Sequence, residues 1–376
     1  MSCTLKQYID ASREELFSLF RTLCLIPAPS HHEEKRAAFC KEWLENAGAK
    51  GVYIDKALNV IYPLHCEGSN EITVFVAHTD TVFPDTEPMP YEDDGEYVRC
   101  PGAGDDTASL AVMLMMAKYY IKEEISPKGG ILFVANSCEE GLGNLKGTRQ
   151  LFEDYKGRIK QFVSLDSNID CIADRCVGSH RYEVEVLTEG GHSYLDFGKK
   201  NAIAALSEII VALYAIPLPQ KEGCRVTMNV GEISGGTSVN TIAQSVKMLC
   251  EYRSDDTELM SYMQAAFTRI FENASKGEVS VKVKTIGERP CAKGVDPAEI
   301  DRLRRISFEA VKDAIGKEPV FRSSSTDCNI PLSLGIPSIC VGVYDGGGQH
   351  TREEWVRKES LIPGLEIAIR MAQELT

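Results

Sequence analysis

The chain has 376 residues, of which 43% are hydrophobic, enough for one large or two ordinary domains with a well-covered core. The net charge of −14 and the pI of about 5.1 exclude a nucleic-acid-binding protein, because phosphate binding needs a basic face. No apolar run reaches the ~18 residues that span a bilayer, and residues 1–17 lack the apolar core of a signal peptide, so we expect a cytoplasmic protein with no membrane partner.

The 13 cysteines are scattered along the chain and form no C-x-x-C pair. An odd, scattered set without a secretion signal is typical of reduced thiols that are buried as small apolar side chains. We therefore expect no disulfide framework. Any bound metal must be held by other residue types.

The first 50 residues predict two helices. The first runs from Tyr8 to Cys24. Ser30 and Glu33, three places apart as in a capping box, predict the start of the second helix, and Gly48 predicts its end.

Three short apolar runs follow, at residues 72–77, 131–136 and 161–166. A helical pattern separates the first two runs, and a shorter helix over 146–155 separates the last two. Near-continuous apolar strands that alternate with helices are the signature of a parallel sheet covered on both faces.

From Arg181 the pattern changes to alternating apolar and polar residues, as in an antiparallel strand with one exposed face. Two strand–helix–strand units fill about 110 residues. They predict a small α+β domain over 180–290, inserted into a larger domain formed by 1–179 and 291–376.

The larger domain resumes with a helix and a strand. Asp296, Pro297 and Glu299 predict the helix start as cap, first residue and capping-box partner, and Gly316 predicts its end. The segment PLSLGIPSICVGV then supplies another buried strand.

The three apolar runs all lead into residues of the type that bind metals. The residues are His78 and Asp80, then Glu139 and Glu140, and then Asp166. Open α/β sheets bind ligands beyond the carboxyl ends of their strands. Two further candidates are the Asp105–Asp106 pair, in a glycine-rich turn before a helix, and His350, after a triple glycine.

Each of these signals is weak alone, because an Asp pair often caps a helix, a Glu pair is often solvated, and a single histidine on a loop is often a bystander. Together they place several carboxylates in one cleft, where they repel one another unless cations are bound. Two histidines and several carboxylates suit a pair of zinc ions.

Several motifs in this order resemble metallopeptidases of the M20 family, over nearly the whole chain. They are HTDTV, CEEG, GGTSVNTIA, EYRSDD and the C-terminal GIPSICVG with GGGQHTREEW. The resemblance implies a mixed, mostly parallel sheet flanked by helices, as in zinc exopeptidases. It also implies that the inserted α+β domain is a lid and dimerisation domain.

The resemblance implies a role for each matching residue. The terminal ligands of two Zn²⁺ ions, with Co²⁺ or Mn²⁺ as alternatives, are His78, Glu140, Asp166 and His350. Asp105 rather than Asp106 bridges the two metals. Asp80 accepts a hydrogen bond from His78 and fixes its tautomer. Glu139 is the general base that takes a proton from the bridging water.

In the inserted domain, His192 resembles a histidine that donates to the developing oxyanion, and Asn240 and Arg253 resemble substrate-binding residues. Asn240 is also explained as a turn residue, and Arg253 as a partner in a salt bridge within the lid. The chain departs from the family at Thr107, which stands where the family has Lys. No ligand is lost, and we expect different contacts around the metal ligands there.

The predicted reaction is hydrolysis of an amide bond in a small peptide. Asp166 and the EYRS stretch resemble di- and tripeptide aminopeptidases such as peptidase T. The alternatives are an N-acyl-amino-acid deacylase or carboxypeptidase of the same family and, more remotely, a non-catalytic binding protein on the same fold. The resemblance also implies a homodimer formed through the lid domain.

Overall fold

A computed structural model describes residues 5–376, so that Cys3 and the first residues of the predicted larger domain lie outside the described part. The chain divides into two compact units. Unit 1 ends at Cys176 and resumes over Lys293–Thr376, and unit 2 is Val177–Ala292. None of the helices in the described residues combines the length and the apolar character that crossing a bilayer requires.

Within residues 5–376 there are nine α-helices. They are α1 (Leu5–Cys24), α2 (Glu34–Asn46), α3 (Ser109–Lys122), α4 (Lys146–Asp154), α5 (Ala202–Tyr214), α6 (Thr257–Ala274), α7 (Pro297–Ile315), α8 (Asn329–Ser333) and α9 (Leu361–Leu375).

The strands of the same residues belong to four sheets. They are β1 (Tyr53–Ile54), β2 (Val60–Leu64), β3 (Ile72–His78), β4 (Glu92–Asp93), β5 (Tyr97–Arg99), β6 (Ile131–Asn136), β7 (Ile159–Ser164), β8 (Cys171–Cys176), β9 (Gly178–Leu187), β10 (Gly191–His192), β11 (Val226–Gly235), β12 (Thr241–Ile242), β13 (Ser245–Ser254), β14 (Ser280–Arg289), β15 (Val320–Ser324), β16 (Ser338–Val341), β17 (Gly346–Gly347) and β18 (Trp355–Arg357).

The main sheet of unit 1 has eight strands in the order β1-β2-β6-β3-β7-β16-β8-β15. Its four central neighbours, β6, β3, β7 and β16, run parallel. All residues of β3 and β6 are buried because helices cover both faces, which is why these strands read as unbroken apolar runs. The predicted fold class, a mixed and mostly parallel sheet flanked by helices, is confirmed.

The two faces of this sheet have separate hydrophobic cores. Phe75 and Phe133 point into one core, which is shared with α1, α2, α3, α7 and α9. Val74 and Leu132 point into the other core, which is shared with α4 and α8. Alternate residues of one strand thus serve opposite layers, as the pleat requires.

The start and the end of α7 are confirmed. The Asp296 side chain accepts a hydrogen bond from the backbone N–H of Ala298, Pro297 is the first helical residue, and Gly316 ends the helix with φ +70°. The predicted capping-box role of Glu299 is wrong, because its carboxylate accepts from Arg302 at 2.9 Å on the helix surface.

The predicted capping box of the second helix is wrong. The helix begins at Glu34, and the Ser30 hydroxyl donates to the distant Asp80 carboxylate at 2.7 Å. Glu33 accepts from the backbone N–H of Cys138 at 3.0 Å. Both side chains are therefore used in long-range contacts around the strand ends, which a local sequence pattern does not reveal.

Unit 2 has a four-stranded antiparallel sheet in the order β11-β13-β9-β14. Alternate residues of β13 are buried, and they form a core with α5 and α6. A separate two-stranded ladder pairs His192 of β10 with Thr241 of β12.

The cysteine prediction holds for the described residues. The twelve cysteines within 5–376 are free thiols, and all are buried except Cys171 and Cys224, which are partly exposed. The described cysteines thus contribute packing and no cross-links.

Candidate metal centre

The centre lies at one edge of the main sheet of unit 1. His78 is the last residue of β3, Glu139 and Glu140 follow β6, and Asp166 follows β7. Because β3 is paired in parallel with both β6 and β7, the three carboxyl ends meet at the same edge.

The carboxylate of Asp105 lies between two imidazoles. One oxygen is 3.0 Å from Nε2 of His78, and the other is 3.1 Å from Nε2 of His350. Oε1 of Glu140 is also 3.2 Å from Nε2 of His350, although its direction does not suit a hydrogen bond. A single carboxylate thus faces both histidines of the predicted ligand set.

Asp80 contacts the His78 imidazole, and the shorter of the two contacts is made by its backbone oxygen. Nδ1 of His78 lies 3.0 Å from the backbone carbonyl oxygen of Asp80 and 3.5 Å from its carboxylate. Both oxygens accept, so the proton is held on Nδ1 and Nε2 is left to face Asp105.

The Asp80 carboxylate instead organises the paired glutamates. It accepts the backbone N–H groups of Glu139 and Glu140, each at 3.0 Å, and the Ser30 hydroxyl at 2.7 Å. Although burial opposes ionisation, hydrogen bonds from His78 and Ser30 lower the pKa of Asp80. A buried carboxylate with several donors is a rigid anchor for the turn that carries both glutamates.

Asp106, the neighbour of Asp105, has a different environment. Its Oδ2 accepts the backbone N–H of His78 at 2.9 Å, and its Oδ1 is buried without a hydrogen-bond partner among the described residues. The peptide bond that joins the two aspartates is cis. Potential ligand atoms of Asp106, His78 and Asp166 lie within 4.8 Å of one another, as do those of Asp105, His78 and Glu140.

The carboxylates of the centre lie so close together that each opposes the ionisation of its neighbours. Burial, together with the carboxylates of Asp105 and Glu139, raises the pKa of Glu140 to about 7. Burial and Asp105 also raise the pKa of Asp166 well above its usual range. The hydrogen bond to Asp105 and the nearby Glu140 carboxylate raise the pKa of His350 to about 10. The cluster therefore favours added positive charge.

These residues fit divalent cations. Imidazole nitrogens and carboxylate oxygens are the ligands that zinc takes in hydrolases, and manganese and cobalt accept the same set. The buried oxygens of Asp106 and Glu140 that lack hydrogen bonds show that protein contacts alone do not satisfy the cluster.

Sequence reasoning missed Arg36, a fully buried cation behind the centre. Its guanidinium donates to the backbone oxygen of Thr79 at 2.8 Å and to the hydroxyl of Thr107 at 3.2 Å. Thr107, the position at which the chain departs from the family pattern, thus contacts this arginine through its hydroxyl. Nothing in the local sequence distinguishes Arg36 from the exposed charges of its helix.

The three other predicted residues lie in unit 2. His192 and Asn240 are exposed, and the backbone oxygen of Asn240 accepts from the N–H of Ser193 at 3.0 Å. Arg253 pairs through Nε with the Glu251 carboxylate on the same strand at 2.7 Å. His192 and Asn240 are thus neighbours, whereas Arg253 is engaged in an ion pair.

Comparisons with known proteins identify the family. Peptidase family M20/M25/M40 matches residues 74–374. The uncharacterised protein YqjE of Bacillus subtilis is 25% identical over 385 residues, covering 96% of this chain and 99% of that protein. A probable carboxypeptidase of Ajellomyces capsulatus is 26% identical over 263 residues, covering 62% of this chain and 59% of that protein. The crystal structure of aminopeptidase PepT from Bacillus cereus is similar with a TM-score of 0.73 and 22% identity, covering 96% of this chain and 98% of that one. The chain belongs to peptidase family M20/M25/M40 and is a metal-dependent hydrolase.

Proposed function

We propose that this chain is an aminopeptidase that hydrolyses the first amide bond of di- and tripeptides. The observation that supports two-metal hydrolysis is the position of the Asp105 carboxylate, which lies 3.0 Å from Nε2 of His78 and 3.1 Å from Nε2 of His350. A carboxylate that faces two imidazoles is suited to bridge two cations, as in two-metal hydrolases.

Two Zn²⁺ ions per chain would be held by this centre, with Co²⁺ or Mn²⁺ as substitutes. His78 and Asp166 would hold one ion, Glu140 and His350 the other, and Asp105 both. When bound, the ions supply Lewis acidity at the substrate carbonyl and acidify water.

Glu139 would act as the general base and then as the general acid. It would take a proton from the attacking water and deliver it to the leaving nitrogen, which then departs as an amine rather than as an anion. The residue is only 4% exposed, and its backbone N–H donates to the Asp80 carboxylate at 3.0 Å. That anchor fixes the backbone of Glu139 next to the proposed ligand Glu140.

His192 would donate a hydrogen bond to the oxyanion. Its Nδ1 accepts the backbone N–H groups of Tyr194 and Leu195, both at 3.3 Å, so the proton of the neutral ring is on Nε2. This tautomer supports the donor role. Asn240 and Arg253 would bind the substrate, and Arg253 would then share its charge between Glu251 and a substrate carboxylate.

The choice of an aminopeptidase rests on Asp166 and on the EYRS stretch, which resemble the aminopeptidases of the family. The rival reactions are those of a carboxypeptidase, as the name of the Ajellomyces capsulatus relative states for that protein, and of an N-acyl-amino-acid deacylase. A non-catalytic binding protein is the remaining alternative.

Four substrates distinguish these functions when they are given to the zinc-loaded protein. They are a free tripeptide, its N-acetylated form, its C-terminal amide and an N-acetyl amino acid. An aminopeptidase cleaves the free peptide, cleaves its amide more slowly because the amide lacks the carboxylate that Arg253 would bind, and spares both N-acetylated compounds. Cleavage of the N-acetyl peptide at its C-terminal bond identifies a carboxypeptidase, and release of acetate identifies a deacylase. Glu139→Gln is the control for a contaminating peptidase, and no turnover of any substrate contradicts the proposal.

Unit 2 would also form a homodimer. Its sheet ends at β11, whose backbone edge is open within unit 2, and Ile233 on that strand is 56% exposed. Val211 on α5 is 70% exposed. Light scattering of the purified protein should give twice the chain mass, and Val211→Glu with Ile233→Lys should give the monomer.

A further inference from the structure

Glu354 is a buried carboxylate that has no place in the proposed ligand set. It is 1% exposed and precedes β18. Its carboxylate accepts three backbone N–H groups, from Gly102 at 2.7 Å, Gly104 at 2.9 Å and Asp105 at 2.8 Å. The three backbone N–H groups that point at this one carboxylate form an anion-binding concavity, and Glu354 is the anion that it holds.

The turn is shaped to receive this side chain. Gly102 has φ +75°, in the left-handed region that favours glycine. A Cβ on Gly104 would lie 3.0 Å from Oε1 of Glu354 and 2.7 Å from a ring carbon of Tyr344. Cys100 adds a fourth bond, from its N–H to the backbone oxygen of Glu354 at 3.1 Å. The segment 100–105 is therefore attached to Glu354 at four points.

Glu354 also joins two parts of the chain beside the ladder that pairs β5 with β18. It lies four residues after His350, whereas the N–H groups that it accepts belong to the turn that carries Asp105. The side chains of Asp105 and His350 are 3.1 Å apart. The bonds that Glu354 makes therefore constrain the geometry between these two proposed ligands, in addition to the pairing of β5 with β18.

We infer that Glu354 is a positioning residue, which holds the main chain of Asp105 so that its carboxylate faces both His78 and His350. The inference rests on the proposed metal centre. Both oxygens of Glu354 must accept, because Oε1 receives two N–H groups and Oε2 receives the third. An amide in place of the carboxylate turns an NH₂ group toward at least one of these donors, so a buried bond is lost and the turn shifts.

Glu354→Gln tests this inference, with Glu353→Gln as the matched control, because Glu353 is its exposed sequence neighbour. Zinc binding is titrated by calorimetry, and the absorption spectrum of the cobalt-loaded protein reports ligand geometry. Loss of a group that orients metal ligands typically weakens metal binding ~10- to 100-fold. We expect that loss and an altered cobalt spectrum in Glu354→Gln, and neither change in Glu353→Gln.

A second variant keeps the test decisive if Glu354→Gln does not fold. Gly104→Ala changes no charge but pushes against Glu354 from the other side of the same contact, and it should alter the cobalt spectrum likewise. Wild-type zinc affinity and an unchanged cobalt spectrum in folded Glu354→Gln, or in Gly104→Ala where it is used, would overturn the inference alone. A wild-type protein that binds no metal in the same titration would overturn the proposed metal centre as well.

Discussion

The backbone N–H of His78 donates to Oδ2 of Asp106 at 2.9 Å. This bond ties the end of β3 to the turn before α3, and it engages Asp106 with the main chain while the side chain of Asp105 faces the imidazoles. Adjacent aspartates thus have separate tasks, and exchanging each for asparagine distinguishes them.

Asp105→Asn should lose most of its bound zinc and its activity, because an amide cannot serve as an anionic bridge between two cations. Asp106→Asn should keep both ions and stay within about tenfold of the wild-type activity, since its amide oxygen can still accept the His78 N–H. Elemental analysis after dialysis measures the zinc of both variants. The opposite result would show that Asp106, which also lies near Asp166, is the ligand.

The paired glutamates should also separate. Asp80 holds both of their backbone N–H groups, so a difference between the variants comes from the side chains. Glu139→Gln should keep two zinc ions and lose ~100- to 10,000-fold in turnover, the usual share of a general base. Glu140→Gln should lose zinc and activity together. A fully active Glu139→Gln, or one that loses its zinc, would show that the two roles are assigned wrongly.

His192→Ala should lower turnover on the order of 100- to 1000-fold, the typical cost of removing one oxyanion donor. Zinc content should not change, because the proposed role is to act on the substrate oxygen. His32→Ala is the control, since His32 is also exposed. Equal turnover in both variants would make His192 a surface residue.

Asp327 predicts a pH dependence of stability in the metal-free protein. It is buried and accepts bonds from Asn136, at 2.7 Å, and from the Thr148 hydroxyl. Burial and the nearby Glu139 raise the pKa of Asp327 to about 7. A carboxyl group with a raised pKa binds more protons when folded, so its stabilising contribution is present at low pH and is lost as the pH rises through about 7.

The measurement is the free energy of unfolding with chelator present, from about pH 4 to about pH 8. The wild type should lose stability over this range, partly because Glu140 and Asp166 shift in the same direction. Asp327→Asn stays neutral, so its loss should be smaller. Parallel curves for the two proteins would show that Asp327 does not titrate in this range.

The sequence determined the fold class and the edge of the sheet where the centre lies. Runs such as 72–77 and 131–136 are apolar throughout because both faces of their strands are buried. Each position in these runs must therefore be apolar, which is visible in the sequence. Similarly, α7 is bounded by contacts within a few residues, from Asp296 and Gly316. Requirements of this local kind can be derived from a sequence alone.

The tertiary structure decided which polar groups serve the centre indirectly. Ser30 and Glu33 have the spacing of a helix cap, yet they bind Asp80 and the backbone of Cys138. Glu353 and Glu354 are identical neighbours, and only Glu354 is buried against the turn of Asp105. These bonds join segments that are 50 to 250 residues apart. Which groups become partners depends on how the strands and turns come together in space. A pattern within one segment of the sequence therefore cannot predict these partners.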